Sequence, residues 1–216
     1  MAKAKKSGDA ALKQKVVEAA LPNAAFDGFT DAVLAKAGGA AGLEKAELER
    51  LFPEGARSLI EAYSVSVDIE MEELLGKMEL SKMKIRQRIA AAVLARLSIL
   101  KPHKEAARRA AATLTLPMHA ALGAKLMYQT VDAMWRAAGD TATDFNFYSK
   151  RGILAGVYGA TLVRWFNDTS AGEQVTRDFL AARIENVMQF EKIKGQAKKA
   201  FANFPDLSSW MKPKGK

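Results

Sequence analysis

Apolar side chains recur three and four positions apart along most of this 216-residue chain, which is the spacing of one helix face. The spacing predicts a first helix over residues 9–21 that Pro22 ends. Two short helices are predicted next, over about 27–36 and 43–52, on either side of a glycine-rich turn at 38–42. Longer helices follow, over about 57–76, 80–100, 103–113, 117–138, 144–167 and 171–204, with a break near Gly195 left open. No stretch alternates long enough to predict a strand, so the sequence predicts an all-α fold.

Few residues in the chain can carry chemistry. It has no cysteine and two histidines, His103 and His119. The absence of cysteine excludes disulfides, thiolate metal sites and cysteine nucleophiles. With only two histidines, there is little room for a histidine zinc site or a Ser-His-Asp triad. No Glu-x-x-His, His-Glu-x-x-His or nucleophile-elbow pattern occurs, so we expect no enzymatic activity, no metal and no resident cofactor.

The net charge of +9 is unevenly distributed. Residues 9–76 hold six basic and thirteen acidic side chains, whereas residues 187–216 hold seven lysines against two acids. The three short helices resemble a helix-turn-helix whose recognition helix is 43–50, but that helix carries Glu44, Glu47 and Glu49 against Lys45 and Arg50. A helix that reads DNA needs cations to meet phosphates. We therefore expect the shape of a DNA-binding unit without binding to nucleic acid.

The last predicted helix is amphipathic and basic. Its apolar face carries three phenylalanines with lysines around it, which is typical of a helix lying in a membrane interface. Trp210 follows among further lysines, as an interfacial anchor would. The predicted membrane-binding residues are Phe190, Ile193, Lys194, Lys198, Phe201, Phe204 and Trp210. The alternative is that this helix packs on its own domain. No run reaches the roughly 20 apolar residues needed to span a bilayer, and no targeting segment is recognisable.

The basic stretch from Lys82 to Arg109 is better explained as a solvated face opposite a core face, although a second membrane-facing surface is the alternative.

Two long helices carry a nearly continuous apolar stripe rich in methionine and aromatic residues. Such a stripe is usually core, but it also suits an adaptable pocket for an apolar ligand. The residues predicted to bind lipid are Met118, Leu122, Leu126, Trp135, Leu154, Val157, Tyr158, Leu162 and Trp165. Farther along, Asp144, Phe147, Tyr148 and Arg151 share one helix face, and aromatics with arginine often dominate protein interfaces.

The chain resembles the accessory proteins of ubiquinone biosynthesis called the Coq-nine family. The most specific match runs from Asp132 to Tyr158, within VDAMWRAAGDTATDFNFYSKRGILAGVY. Shorter matches are ALP at 20–22, FDGF at 26–29 and LFP at 51–53, and a weaker likeness covers most of residues 10–205.

This resemblance implies a TetR-like fold that does not act on DNA. It also implies a protein that binds isoprenoid lipid or phospholipid and meets an anionic membrane surface through its last helix. Such a protein presents isoprenoid quinone intermediates to the di-iron demethoxyubiquinone hydroxylase. The positions matching the family's hydroxylase patch are Asp132, Met134, Asp144, Phe147, Tyr148 and Arg151. Phe147 stands where relatives typically have tryptophan, so an indole N–H donor is absent there.

The chain is accordingly divided into a disordered basic tail (1–8), a helix-turn-helix-like subdomain (9–56), a helical lipid-binding domain (57–186) and a basic membrane-binding helix with tail (187–216). We expect a bacterial protein, cytoplasmic and peripheral on the inner membrane, or on the matrix side in mitochondria if the source is eukaryotic. A homodimer follows only by analogy with TetR-like domains. The alternative function is a ligand-responsive TetR-type transcription regulator, which would bind duplex DNA with steep salt dependence.

Overall fold

The computed structural model describes the backbone of residues 2–140 and 145–202 and the side chains of residues 8–140 and 147–190. Within these residues it contains α-helices joined by short turns and no strand. The helices are α1 (Ala2–Asp27), α2 (Asp31–Ala40), α3 (Lys45–Leu51), α4 (Ala56–Gly76), α5 (Ile85–Leu100), α6 (Lys104–Leu114), α7 (Ala120–Ala137), α8 (Phe145–Phe166) and α9 (Gln174–Ala202). The all-α prediction is confirmed.

Helix α1 is longer than predicted at both ends. It begins at Ala2, inside the stretch for which the sequence predicts a disordered tail, and continues past Pro22 to Asp27. Proline removes one helical hydrogen bond, but Pro22 lies on the exposed face. On the opposite face, Leu21 and Ala24 are buried against the core. Their packing outweighs the proline's local cost, so the prediction that Pro22 ends this helix is wrong.

Helix α2 also extends beyond its predicted end, through three residues of the predicted glycine turn. Its N-terminus is capped by the Thr30 side chain, which accepts a hydrogen bond from Val33 N at 3.2 Å. Gly38 is buried, and a Cβ atom there would lie 2.5 Å from the Leu48 side chain of α3. The glycine therefore allows α2 and α3 to approach closely, and the turn itself is formed by Ala41 and Gly42.

Helix α5 starts later than predicted, at Ile85. Residues 80–82 form a single 3-10 turn, and Met83 adopts an extended conformation. Arg88 fixes the segment that leads into α5, because its Nε donates to Met83 O at 3.0 Å and its Nη1 donates to Ala138 O at 2.9 Å. The beginning of α5 is thereby tied to the end of α7. Helix α9 continues through Gly195 without a break.

A buried polar cluster lies at the centre of the bundle. Arg96 on α5 is 6% exposed and donates from Nε to Asp68 Oδ1 on α4 at 2.7 Å and from Nη1 to the Tyr158 hydroxyl on α8. Asp68 also accepts a hydrogen bond from Thr130 Oγ1 on α7 at 2.8 Å. One arginine from the basic stretch 82–109 thus connects four helices, and the prediction that this stretch is a solvated face is wrong at Arg96.

We expect Arg96→Ala to lower the free energy of unfolding by about 3 kcal/mol, because it leaves the Asp68 carboxylate, whose side chain is only 13% exposed, without its cation. The measurement is urea unfolding followed by circular dichroism. The matched control is Arg109→Ala on the exposed face of α6, for which we expect a change within about 0.5 kcal/mol. Equal effects of the two substitutions would contradict the structural role of the cluster.

Candidate functional site

An apolar pocket of about 260 Å³ lies between α5, α7, α8 and α9. Its apolar lining consists of Ile85, Ile89, Trp135, Ile153, Leu154, Val157, Ile184, Val187 and Met188. Ile89 and Leu154 are buried and lie deepest, whereas Ile85, Ile153 and Met188 are between 36% and 44% exposed. The pocket therefore opens to the protein surface, and its walls suit a hydrocarbon ligand.

Polar side chains lie only at the exposed edge of this pocket. They are Arg86, Ser149 and Lys150. Lys150 Nζ forms an ion pair with Asp140 at 2.8 Å and lies 5.5 Å from the centre of the Trp135 ring. The Trp135 indole N–H donates to the Lys150 carbonyl oxygen at 3.2 Å, which fixes the ring as part of the wall. The site combines an apolar interior with a polar edge whose two cations, Arg86 and Lys150, are each paired with a carboxylate.

Three of the nine predicted lipid-binding residues line this pocket: Trp135, Leu154 and Val157. Leu122, Leu126 and Trp165 are instead buried in the core, with the Trp165 indole donating to Glu173 Oε1 at 2.9 Å. Met118 is 77% exposed, Tyr158 bonds to Arg96, and Leu162 lines a different, smaller cavity. These six residues do not line this pocket, and their part in lipid binding stays a prediction.

Sequence reasoning missed the walls that α5 and α9 provide. Ile85 and Ile89 lie one helical turn apart on α5, and Ile184 and Met188 lie one turn apart on α9. The helical spacing of each pair predicts an apolar helix face, but spacing does not show which other helix packs against that face.

The predicted partner-binding residues separate into an internal cluster and one exposed tyrosine. Met134 is fully buried, and Arg151 is 2% exposed. Arg151 Nε donates to Asp132 Oδ1 at 2.6 Å, and its guanidinium lies 3.3 Å from the centre of the Phe147 ring. Met134 and Arg151 are both buried and have a structural role here, so their predicted contact with a partner stays a prediction.

Tyr148 is 67% exposed and packs edge-on against Phe147, with ring centres 5.1 Å apart. A second Arg151 contact, from Nη1 to Asp140 Oδ2 at 3.3 Å, joins the start of α8 to the end of α7. This ion-pair cluster holds the helix turn from which Tyr148 projects. Asp144 lies outside the described residues.

Among the predicted membrane-binding residues, Phe190 is 62% exposed. Ile193, Lys194, Lys198 and Phe201 lie in α9, but their side chains are outside the described set, as are Phe204 and Trp210 entirely. In the part of the chain that the structure covers, no helix has the length and apolar content needed to cross a membrane. No group of three or more metal-ligating side chains occurs among the residues described.

The family model and the relatives that match this chain carry the same description, COQ9. The COQ9 family model matches residues 120–191. The ubiquinone biosynthesis protein COQ9 of Rattus norvegicus is 30% identical over 193 residues, covering 87% of this chain and 62% of that protein. The Homo sapiens protein of the same name is 29% identical, covering 87% of this chain and 61% of that protein. Both relatives are described as mitochondrial, and the chain spans less than two thirds of their length.

Among solved structures, the TetR transcriptional regulator from Nitrosomonas europaea aligns with a TM-score of 0.63 at 19% identity, over 80% of this chain and 95% of that chain. At this identity the similarity establishes the fold, and the predicted TetR-like architecture is confirmed.

Proposed function

The chain belongs to the COQ9 family, and from that premise we propose that it is a non-enzymatic accessory protein of ubiquinone biosynthesis. In this proposal it binds isoprenoid quinone intermediates at the membrane surface and presents them to demethoxyubiquinone hydroxylase. The observation that carries the proposal is the open apolar pocket between α5, α7, α8 and α9. A prenyl chain is hydrocarbon, so its transfer from water into such walls is favourable by about 25 cal/mol per Å² of apolar surface buried.

Helix α9 supports the membrane part of the proposal. It contributes Ile184, Val187 and Met188 to the pocket and runs as one helix to Ala202. The stretch predicted to lie in the membrane interface therefore continues directly from the pocket wall. A ligand leaving the pocket beside α9 would meet the bilayer without crossing water. We accordingly place the protein peripherally on an anionic membrane surface, at the cytoplasmic face of a bacterial inner membrane.

We expect Ile153→Trp to reduce the amount of isoprenoid lipid that copurifies with the protein by about tenfold, because the larger ring fills the pocket near its opening. The measurement is quantitative mass spectrometry of organic extracts. The control is Val163→Trp on the same helix, where the side chain is 63% exposed and outside the pocket lining. Equal lipid content in both variants would contradict the pocket assignment.

We expect Phe201→Glu or Phe204→Glu to abolish co-sedimentation with anionic liposomes, since each places a charge where the apolar face is predicted to enter the interface. The matched control is Phe26→Glu near the end of α1, because Phe26 is 80% exposed and remote from α9 in sequence. Sedimentation that is lost in all three variants, or retained in the first two, would show that α9 is not the membrane-binding element.

We expect Tyr148→Ala to weaken binding to the hydroxylase by about tenfold or more, because an exposed aromatic ring on a rigid base is a typical interface anchor. Liposome binding should be unchanged. Surface plasmon resonance against the purified hydroxylase measures the first property, and co-sedimentation measures the second. Tyr128→Ala, at a tyrosine that is 44% exposed on α7, is the control. An unaltered affinity of the Tyr148 variant would remove this residue from the interface.

A TetR-type regulator is the alternative that the fold suggests, but the charges of α3 disfavour it. Arg50 forms two hydrogen bonds with Asp9, each at 2.9 Å, and lies 3.6 Å from Glu47. Lys45 lies 3.9 Å from Glu49. Both cations on this helix thus have carboxylate neighbours, and the surrounding subdomain repels phosphate. These contacts favour the accessory role over DNA recognition.

A further inference from the structure

A second cavity of about 80 Å³ lies between α4, α5, α6 and α8, and it shares no lining residue with the pocket described above. Its walls are mainly apolar, with alanines from α6 opposite Leu162 and Phe166 of α8. Three polar side chains also line it: Tyr63, Ser64 and Arg96. An apolar chamber with a few convergent polar groups is the usual form of a small-molecule site.

The Tyr63 hydroxyl is the unexplained group in this cavity. Tyr63 is 5% exposed, and its hydroxyl has no hydrogen-bond partner. Its ring is held in place by stacking on Phe29, with ring centres 5.5 Å apart. Leaving a buried hydroxyl without a partner costs about 1–3 kcal/mol. Burial also raises the pKa of this hydroxyl, which therefore stays protonated and can donate a hydrogen bond.

The other polar side chains of the cavity, Ser64 and Arg96, determine which kind of ligand could bond to the Tyr63 hydroxyl. Arg96 has five N–H groups, and three bonds commit it to Asp68, Tyr158 and Ser64. Its charge is already balanced by the Asp68 carboxylate at 2.7 Å. The cavity thus offers unused donors beside a neutralised ion pair, so an uncharged acceptor fits it better than an anion.

We propose that this second cavity binds a small uncharged molecule whose carbonyl oxygen accepts a hydrogen bond from Tyr63 and whose apolar body contacts the α6 alanines. The volume exceeds the ~30 Å³ share of one water in the liquid and is smaller than the ~150 Å³ cavity that holds benzene. The ligand is therefore compact. The site stands independently of the lipid pocket, since its evidence is the buried Tyr63 hydroxyl and not the apolar walls of the other site.

The test uses acetone as the probe, because it is smaller than benzene, and 2-methylpropene, in which a CH₂ group replaces the carbonyl oxygen, as its isostere. Dissociation constants are measured by saturation-transfer NMR on the full chain. We expect acetone to bind the wild type more tightly than the isostere and to bind Tyr63→Phe about tenfold more weakly. The matched control is Tyr128→Phe, the same change at an exposed tyrosine, which should bind as the wild type does.

A second variant, Ala111→Leu, narrows the cavity while keeping the Tyr63 hydroxyl, and we expect it to lose the probe as well. It carries the test if Tyr63→Phe does not fold. The proposal is overturned by equal affinity in the wild type and these variants, by equal affinity for the isostere, or by no binding to the wild type. It is also overturned if Tyr63→Phe gains stability without any loss of probe binding, because the hydroxyl would then simply be unsatisfied.

Discussion

The contact between Arg96 and Tyr158 organises the interior of this protein. A buried guanidinium must be paired, and the Arg96 guanidinium bonds to Asp68 on α4 and to Tyr158 on α8. Asp68 in turn accepts a hydrogen bond from Thr130, which adds α7 to the network. Along α5, Ile89 lines the larger pocket, whereas Arg96 and Leu100 line the smaller cavity. The hydrogen bond that links α5 to α8 therefore lies in the wall of the smaller cavity.

The helices were largely predictable because apolar spacing reports one face of each helix directly. The errors at Pro22 and in the turn at 38–42 arose where tertiary packing decides the outcome. Burial of Leu21 and Ala24 stabilises α1 beyond Pro22, so the helix continues there. The absence of a Cβ atom at Gly38 allows α3 to pack closely on α2. The walls of the pocket were only partly predictable. Val157 was found from its own helix, but nothing in the sequence shows that α9 packs opposite it.

The same limit applies to the 132–151 region. Helical spacing correctly placed Phe147 and Arg151 one turn apart, but it could not show that Asp132 and Asp140 turn inward to meet the guanidinium. The specific sequence match in this region therefore covers two roles. A buried ion-pair cluster fixes the start of α8, and Tyr148 uses that fixed base to project into solvent.

Of the four helices that line the larger pocket, α9 is the one that takes no part in the Arg96 network among the described residues. Its link to α5 at the pocket edge is the Arg86–Glu185 pair, 3.8 Å apart and about half exposed on both sides. An exposed pair of this kind contributes at most about 1 kcal/mol, whereas the α5–α8 contact is a buried charge network. The Arg96 network joins the other three walls of the pocket to one another and to α4. Under the proposed function, a ligand would therefore enter on the α9 side, where the polar link across the pocket edge is weak and exposed.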